Sequence, residues 1–343
     1  MKPTEKLSLI SNLSTMLSSG IPIIEVVESL FEESKGQTRK VLAQIKIDLD
    51  EGKKISEALK KFPGDFSAIE VNLMKASEES GTLEVTLKDL VKAIKEEIDF
   101  NNRVRAALAY PVLVMIVFVF ILTLILTFVI PKIAAVFSKL KVQLPLSTKF
   151  LIATSRFLLD YYPFVLTGLF ILGLGAYFLY KSNRKKFLNF LFLFPVLSSL
   201  ALEIDIARFT RSMHLLLASG IPINEALDLS KNVVDRNDVY RAVSESEEFV
   251  VSGKKLSEGL KKHKRIFNAL VVKIIESGER SGKIEEVMGD LAATYDVRVS
   301  NRLRMVTTLL EPALLIVIGS LVGAMMLSII APIYSLIGQI NPS

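Results

Sequence analysis

Residues 52–61 read GKKISEALKK and residues 253–262 read GKKLSEGLKK, with eight of ten positions identical at an offset of 201. The match extends outward on both sides. LSSGIPIIE at 17–25 returns as LASGIPINE at 217–225, seven of nine identical at an offset of 200. EESGTLE at 78–84 matches ERSGKIE at 279–285, and Pro111 and Pro131 match Pro312 and Pro332, all at 201. Identity kept at a nearly fixed spacing over so many segments means one unit written twice. That unit is a polar stretch of about 105 residues followed by a long uncharged one with a proline near each end.

Composition explains how both stretches fit in 343 residues. Half of the chain is apolar, yet it carries 42 Lys and Arg against 36 Asp and Glu. The two kinds of residue are therefore segregated. Residues 1–105 hold 16 basic and 18 acidic side chains, 106–180 hold 5 and 1, 181–310 hold 21 and 16, and beyond 310 only Glu311 is charged. So even a spread rules out a strongly basic nucleic-acid binder. With no Cys and only His214 and His263, disulfide frameworks, thiolate catalysis and Cys- or His-rich metal sites are excluded as well.

Three uncharged windows are long enough to cross a bilayer, whose hydrocarbon core of about 30 Å needs roughly 20 helical residues. They are 106–131, 161–180 and the run from Pro312 onward, whose apolar heart reaches about Ile337. The run 187–202 contains Pro195 and is short, which suits an interfacial or domain-capping segment. The expected plan is a helical domain at 1–105, a span at 106–131, an extracytoplasmic loop at 132–160 and a span at 161–180. A basic linker at 181–202, a second helical domain at 203–310, a third span at 311–337 and a short outer tail at 338–343 complete it. Duplicated soluble domains belong in one compartment, so an even number of crossings must separate them, and the first two windows supply two. Arg103 and Arg105 before the first span, Lys181, Arg184, Lys185 and Lys186 after the second, and Arg298, Arg302 and Arg304 before the third place both domains and the amino terminus inside. The amino-terminal stretch has no continuous apolar core and does not read as a signal peptide.

The polar domains read as helices, with apolar residues three and four apart as in Leu9, Leu13, Met16 and Leu17. The repeated punctuation has local reasons. Gly20 and Gly220 suit the left-handed position that stops a helix, Pro22 and Pro222 suit the start of the next, and Glu25 and Glu225 sit near its positive end. Gly81 and Gly282 end another helix ahead of Glu84 and Glu285. Strand signals are scarce, so each half is expected to be an antiparallel helical bundle.

Chemistry-bearing motifs are missing: no phosphate loop, no dinucleotide fingerprint and no H-E-x-x-H occurs. Glu78 and Glu279, each just before a repeated Ser-Gly, read as helix-end or salt-bridged carboxylates, with a partner or cation contact as the alternative. His214 reads as an ordinary bundle residue and His263 as solvated. The run Lys261, Lys262, His263, Lys264, Arg265, with Lys254 and Lys255 upstream, is either a wet helix end or a face for acidic lipid or an acidic partner. The windows carry no Asp, Glu, Lys, Arg or His in their interiors, which argues against a pump. A scaffold, without cofactor or metal, fits best. A transporter or channel component is the alternative, resting on the sparse Thr123, Thr127, Thr167, Ser320 and Ser328.

The doubled L-x-S-G-I-P-x-x-E, G-K-x-[IL]-S-E-x-L and E-x-S-G-x-[LI]-E resemble the F-family platform proteins of type II secretion and of type IV pilus assembly. So do Tyr110-Pro111 at the first span, Glu311-Pro312 at the third and the closing Ala331 to Tyr334. The resemblance runs from about Leu7 to Gly338. It implies an all-α membrane protein of the bacterial inner membrane with two cytoplasmic bundles of about six helices each and three spans. It also implies a homo-oligomeric platform working with a cytoplasmic hexameric ATPase, pilin or pseudopilin subunits and other inner-membrane components. Arg105, Tyr110, Pro111, Pro131, Glu311, Pro312 and Pro332 are the expected residues of domain-to-membrane coupling.

Overall fold

Where one helix stops and the next starts is set by short-range chemistry that both copies spell alike. A computed structural model describes residues 1–139, 146–161, 167 and 195–340, and the expected second span at 161–180 falls almost wholly outside them. Among the described residues there are helices and no strands. The first copy runs α1 (Pro3–Ser18), α2 (Ile23–Glu33), α3 (Gly36–Asp50), α4 (Ile55–Lys60), α5 (Ala68–Ser80) and α6 (Leu83–Leu124). A π-helical turn (Ile125–Val129), α7 (Ile130–Lys139) and α8 (Leu146–Asp160) follow. The second copy runs α9 (Pro195–Ala218), α10 (Ile223–Ser230), α11 (Asn237–Val251), α12 (Leu256–Leu260), α13 (Ala269–Ser281) and α14 (Ile284–Ile340).

The turn between α1 and α2 shows the rule. Gly20 takes φ +80° and Gly220 φ +77°, a region closed to most side chains. There the N–H of Ile21 reaches the carbonyl of Met16 at 3.3 Å, and that of Ile221 reaches Leu216 at 3.0 Å, satisfying carbonyls the ending helix leaves open. At the start of α5 the Ser67 hydroxyl accepts the N–H of Glu70 at 3.3 Å while the Glu70 carboxylate accepts the N–H of Ser67 at 2.7 Å. Asn268 does the same work for α13, accepting the N–H of Val271 at 2.9 Å.

The described residues of Met1–Val104 and Leu188–Arg302 form one compact unit. Within it, Val26, Val41, Leu42 and Leu73 are wholly buried in the first copy, and Phe209, Met213, Leu216 and Phe267 in the second. Phe209 and Phe267 meet edge to face, ring centroids 6.0 Å apart. In each copy neighbouring helices pack in chain order, α2 on α3, α3 on α4, α4 on α5, and α10 on α11, α11 on α12, α12 on α13. Helix α5 also touches α9 and α10, so the copies share a contact inside this unit.

The second unit holds the described residues of Arg105–Phe187 and Leu303–Ser343. Among the described residues two helices are long and apolar enough to cross a membrane, one within Leu83–Lys132 and one within Ile284–Ser320. Leu113, Phe120, Leu315 and Ile316 are each at least 61% exposed, which suits a surface bathed in hydrocarbon and not in water. Helices α6 and α14 run without a break through Pro111 and Pro312. Pro131 does not end its helix either. The π turn sends the N–H of Ile130 to the carbonyl of Ile125, and the carbonyl of Leu126 would next need residue 131, which has no N–H. The buried Ser155 hydroxyl of α8 fills the gap, donating to Leu126 at 2.5 Å. The segment 132–160, expected as a loop, is helical at 132–139 and 146–160, and residues 140–145 lie outside the described residues. Residues 187–194 of the expected interfacial run lie outside the described residues, and from Pro195 it belongs to α9.

Candidate functional site

The two repeated motifs that lie 23 residues apart in each copy meet in space. Glu78, at the end of α5, accepts the N–H of Ile55 at 2.6 Å, the N–H of Ser56 at 3.2 Å and the Ser56 hydroxyl at 2.5 Å. Glu279 repeats this on α12, accepting the N–H of Leu256 at 2.5 Å and that of Ser257 at 3.1 Å. Each carboxylate thus closes the open amino end of a short helix whose own cap residue, Lys54 or Lys255, offers no side-chain acceptor. Catalysis would need these acids to converge on one another; they are spent on separate helix ends.

Beside each cap lies a lysine pair. In the first copy Lys61 donates to both oxygens of Asp48 at 2.7 Å, and Lys53 stands 3.9 Å from the same carboxylate. Asp48 is 1% exposed, and the Lys61 hydrogen bond, joined by Gln44, outweighs burial and holds its carboxyl below the usual range. In the second copy the corresponding residues are Lys262, Lys254 and, in place of the acid, Phe249. The two ammonium groups lie over the Phe249 ring, 4.2 and 5.1 Å from its centroid. Next to the first pair a groove of about 800 Å³ is walled by Lys53, Ser56, Glu57, Lys60, Lys61 and Phe66 among others. Among the described residues no group of three or more His, Asp or Glu could hold a metal ion.

The other expected residues are dispersed. Gly81 and Gly282 sit at φ +74° and +70°, ending α5 and α13 as their spacing implied. Pro22 and Pro222 stand just before α2 and α10, and Glu25 and Glu225 are exposed in the first turns. Glu84 is exposed at the start of α6, whereas Glu285 lies 3.9 Å from His214. His214, expected as an ordinary bundle residue, sits half-exposed on α9 with its Nδ1 3.0 Å from the Glu285 carbonyl. His263 is 20% exposed with Nε2 3.1 Å from Glu245, so it is not simply solvated. Lys255, Lys261, Lys264 and Arg265 are exposed around the second lysine pair. Arg105 and Tyr110 lie exposed on α6 and Pro312 on α14, Pro131 is half-buried on α7, and Glu311 and Pro332 fall within the span of α14.

Two features went unread in the sequence. Arg211 on α9 binds both oxygens of Asp296 at 2.5 and 2.6 Å, lies 3.8 Å from Glu96 and 5.8 Å from the Phe100 ring. It thereby ties the second copy to α6 of the first. Asp205 is buried and accepts the N–H groups of Asp235 and Arg236 at 3.0 and 2.7 Å; burial pushes its carboxyl up despite them. Neither residue belongs to a repeated motif, so the doubling gave no pointer to them.

A model of the family described as Type II secretion system (T2SS), protein F matches residues 9–131 and again 209–332. The chain is 29% identical over 336 residues to the type IV pilus assembly protein PilC of Thermus thermophilus, covering 96% of this chain and 82% of that protein. It is 29% identical to the type IV pilus assembly protein TapC of Aeromonas hydrophila over 345 residues, 98% of this chain and 82% of that one. The type II secretion system protein F of the same organism is 28% identical over 342 residues, 98% and 88% of the two chains.

Proposed function

The chain belongs to the type II secretion system protein F family, and from that premise we propose that it is the inner-membrane platform on which a cytoplasmic hexameric ATPase drives assembly of pilin or pseudopilin subunits. Its two helical copies receive the ATPase from the cytoplasmic side, three spans hold it in the bilayer, and several copies of the chain assemble together. ATP hydrolysis belongs to the partner, in keeping with a sequence that has no phosphate loop. The observation that carries the reading is the continuity of α6 and α14. Each starts at a glycine-terminated turn beside a helix-capping glutamate and continues without a break into an apolar stretch. An unbroken helix is stiff along its axis, so displacement at its polar end is passed on instead of being absorbed. In this reading Arg105, Tyr110, Pro111, Glu311, Pro312 and the prolines 131 and 332 mark where each helix meets and leaves the bilayer.

The test is to insert two glycines after Arg105. Filament assembly or secretion should fall to background while membrane insertion and chain abundance stay normal. Unchanged assembly in that variant would overturn transmission through the helix. Reporter fusions at residues 30 and 240 should both report the cytoplasm, and opposite sides would overturn the arrangement.

A further inference from the structure

Lysines kept at a duplicated position after their carboxylate has gone need another explanation than the lost ion pair. Lys61 has an evident structural partner in Asp48, and Lys53 pairs with Glu51 and stands 3.9 Å from the same Asp48. Their counterparts Lys254 and Lys262 are retained although Phe249 stands where that acid was, and among the described residues neither forms an ion pair. The surroundings have changed in the same direction. Between 252 and 265 there are six Lys and Arg and one acid, Glu258; between 51 and 64 there are four and two. Glu51 has become Ser252, Glu79 has become Arg280, and Pro63 and Gly64 have become Lys264 and Arg265.

We propose that the corner of the second copy formed by Lys254, Lys262 and Phe249 receives an acidic segment of a partner protein, and that the same corner of the first copy is closed by its own Asp48. This deepens the platform reading, on which it rests for the existence of a partner, by giving the chemistry of one contact and assigning it to one copy. The first copy shows what the lysine pair faces, a carboxylate 2.7 Å from Lys61 and 3.9 Å from Lys53. The wall residues of the adjoining groove recur in the second copy as Lys254, Ser257, Glu258, Lys261, Lys262 and Phe267. In the first copy those residues line a concave groove, a shape that takes a chain segment and not a flat bilayer. Phe249 keeps the two ammonium groups in place without neutralising them, because an aromatic face attracts cations and carries no net charge.

The structure also supplies the variants. Phe249→Asp writes the first copy's closure into the second, and Asp48→Phe opens the first. The full chain in nanodiscs of neutral phosphatidylcholine is titrated with a fluorescein-labelled oligoglutamate peptide, followed by anisotropy. Wild type should bind one equivalent, more weakly as salt rises. Phe249→Asp, and separately Lys254→Gln with Lys262→Gln, should weaken binding by about tenfold, as two exposed ion pairs allow. Asp48→Phe should add a second equivalent. Thermal unfolding of each variant checks the fold, and the surface lysine pair keeps the test open should a change at position 48 or 249 unfold the chain. Absent peptide binding, or binding unchanged in both second-copy variants, would overturn the proposal. So would equal competition by millimolar inorganic phosphate, which means a small-anion site. Loss of binding to phosphatidylglycerol vesicles in Phe249→Asp, without any peptide binding by wild type, would make the corner a bilayer contact instead. Full assembly in cells by Phe249→Asp would sink this inference and leave the platform standing, whereas an unaffected glycine insertion after Arg105 would sink the platform and leave the peptide titration untouched.

Discussion

The two copies agree where a backbone end must be closed and part company where a side chain merely needs company. Glu78 and Glu279 make the same pair of backbone hydrogen bonds to the same positions of α4 and α12. Two hundred and one residues apart, however, Asp48 has given way to Phe249 under an unchanged lysine pair, and Ala58 to Gly259. An open helix end has only a few chemical solutions, since its N–H groups cannot be removed. A cation can be satisfied by an anion, a ring or water, so its partner is free to drift. Repetition inside the chain therefore marks architecture at the glutamates and divergence beside the lysines.

Breaking the shared part should cost most. Glu78→Ala leaves two part-buried N–H groups without acceptors and should destabilise the chain by about 2–3 kcal/mol. Glu279→Ala should cost slightly less, because Glu78 also holds the Ser56 hydroxyl. Urea unfolding of the purified chain would measure both, and a loss confined to one of them would refute the likeness. Next comes the closer packing of the second copy. A β-carbon on Gly259 would fall 2.7 Å from the Ser246 Cα, so Gly259→Ala should cost about 1–3 kcal/mol, while the reverse Ala58→Gly should cost about 0.5–1 kcal/mol from backbone freedom alone.

The acids of the two copies titrate in opposite senses. Asp48 has a depressed folded value, so its contribution is present above the ordinary carboxylate range and is lost as pH falls through the folded value. Asp205 has a raised one, so its contribution is present at low pH and declines as pH rises. Asp48→Asn should therefore lower stability by about 1–2 kcal/mol near neutrality and flatten the acid limb of a stability–pH curve below about pH 4. A mutant curve parallel to wild type would show that Lys61 does not set the Asp48 ionisation. The smallest effect is expected at Phe249→Leu, which removes two exposed cation–ring contacts worth about 0.5–1 kcal/mol in all.

How far the sequence reveals this molecule depends on the reach of the interaction. The turns at Gly20, Gly81, Gly220 and Gly282 are legible because the residue, the backbone angle and the hydrogen bond lie within a few positions of one another. That Glu78 would cap α4 is not legible from spacing, since 23 residues and a helix separate donor from acceptor. The joint recurrence of both motifs is the one hint that they belong together. Arg211, Asp296 and Glu96 unite three distant stretches and leave no periodic trace. The helices within 132–160 are masked by expectation: a connection between spans invites the word loop, although 146–160 contains neither glycine nor proline to stop a helix. The lysine corner was readable as charge, but its meaning needed the fact that Asp48 and Phe249 occupy one place in two copies.

The wide turn at Ile125–Val129 takes about one residue more than an α turn, and a residue of α-helix is worth about 100° of rotation. Side chains of α7 are therefore swung by that angle from where an uninterrupted helix such as α14 carries residues the same distance along. The chain is thus doubled in spelling yet polarised in azimuth: past this turn the same text is presented at a different angle about its helix axis.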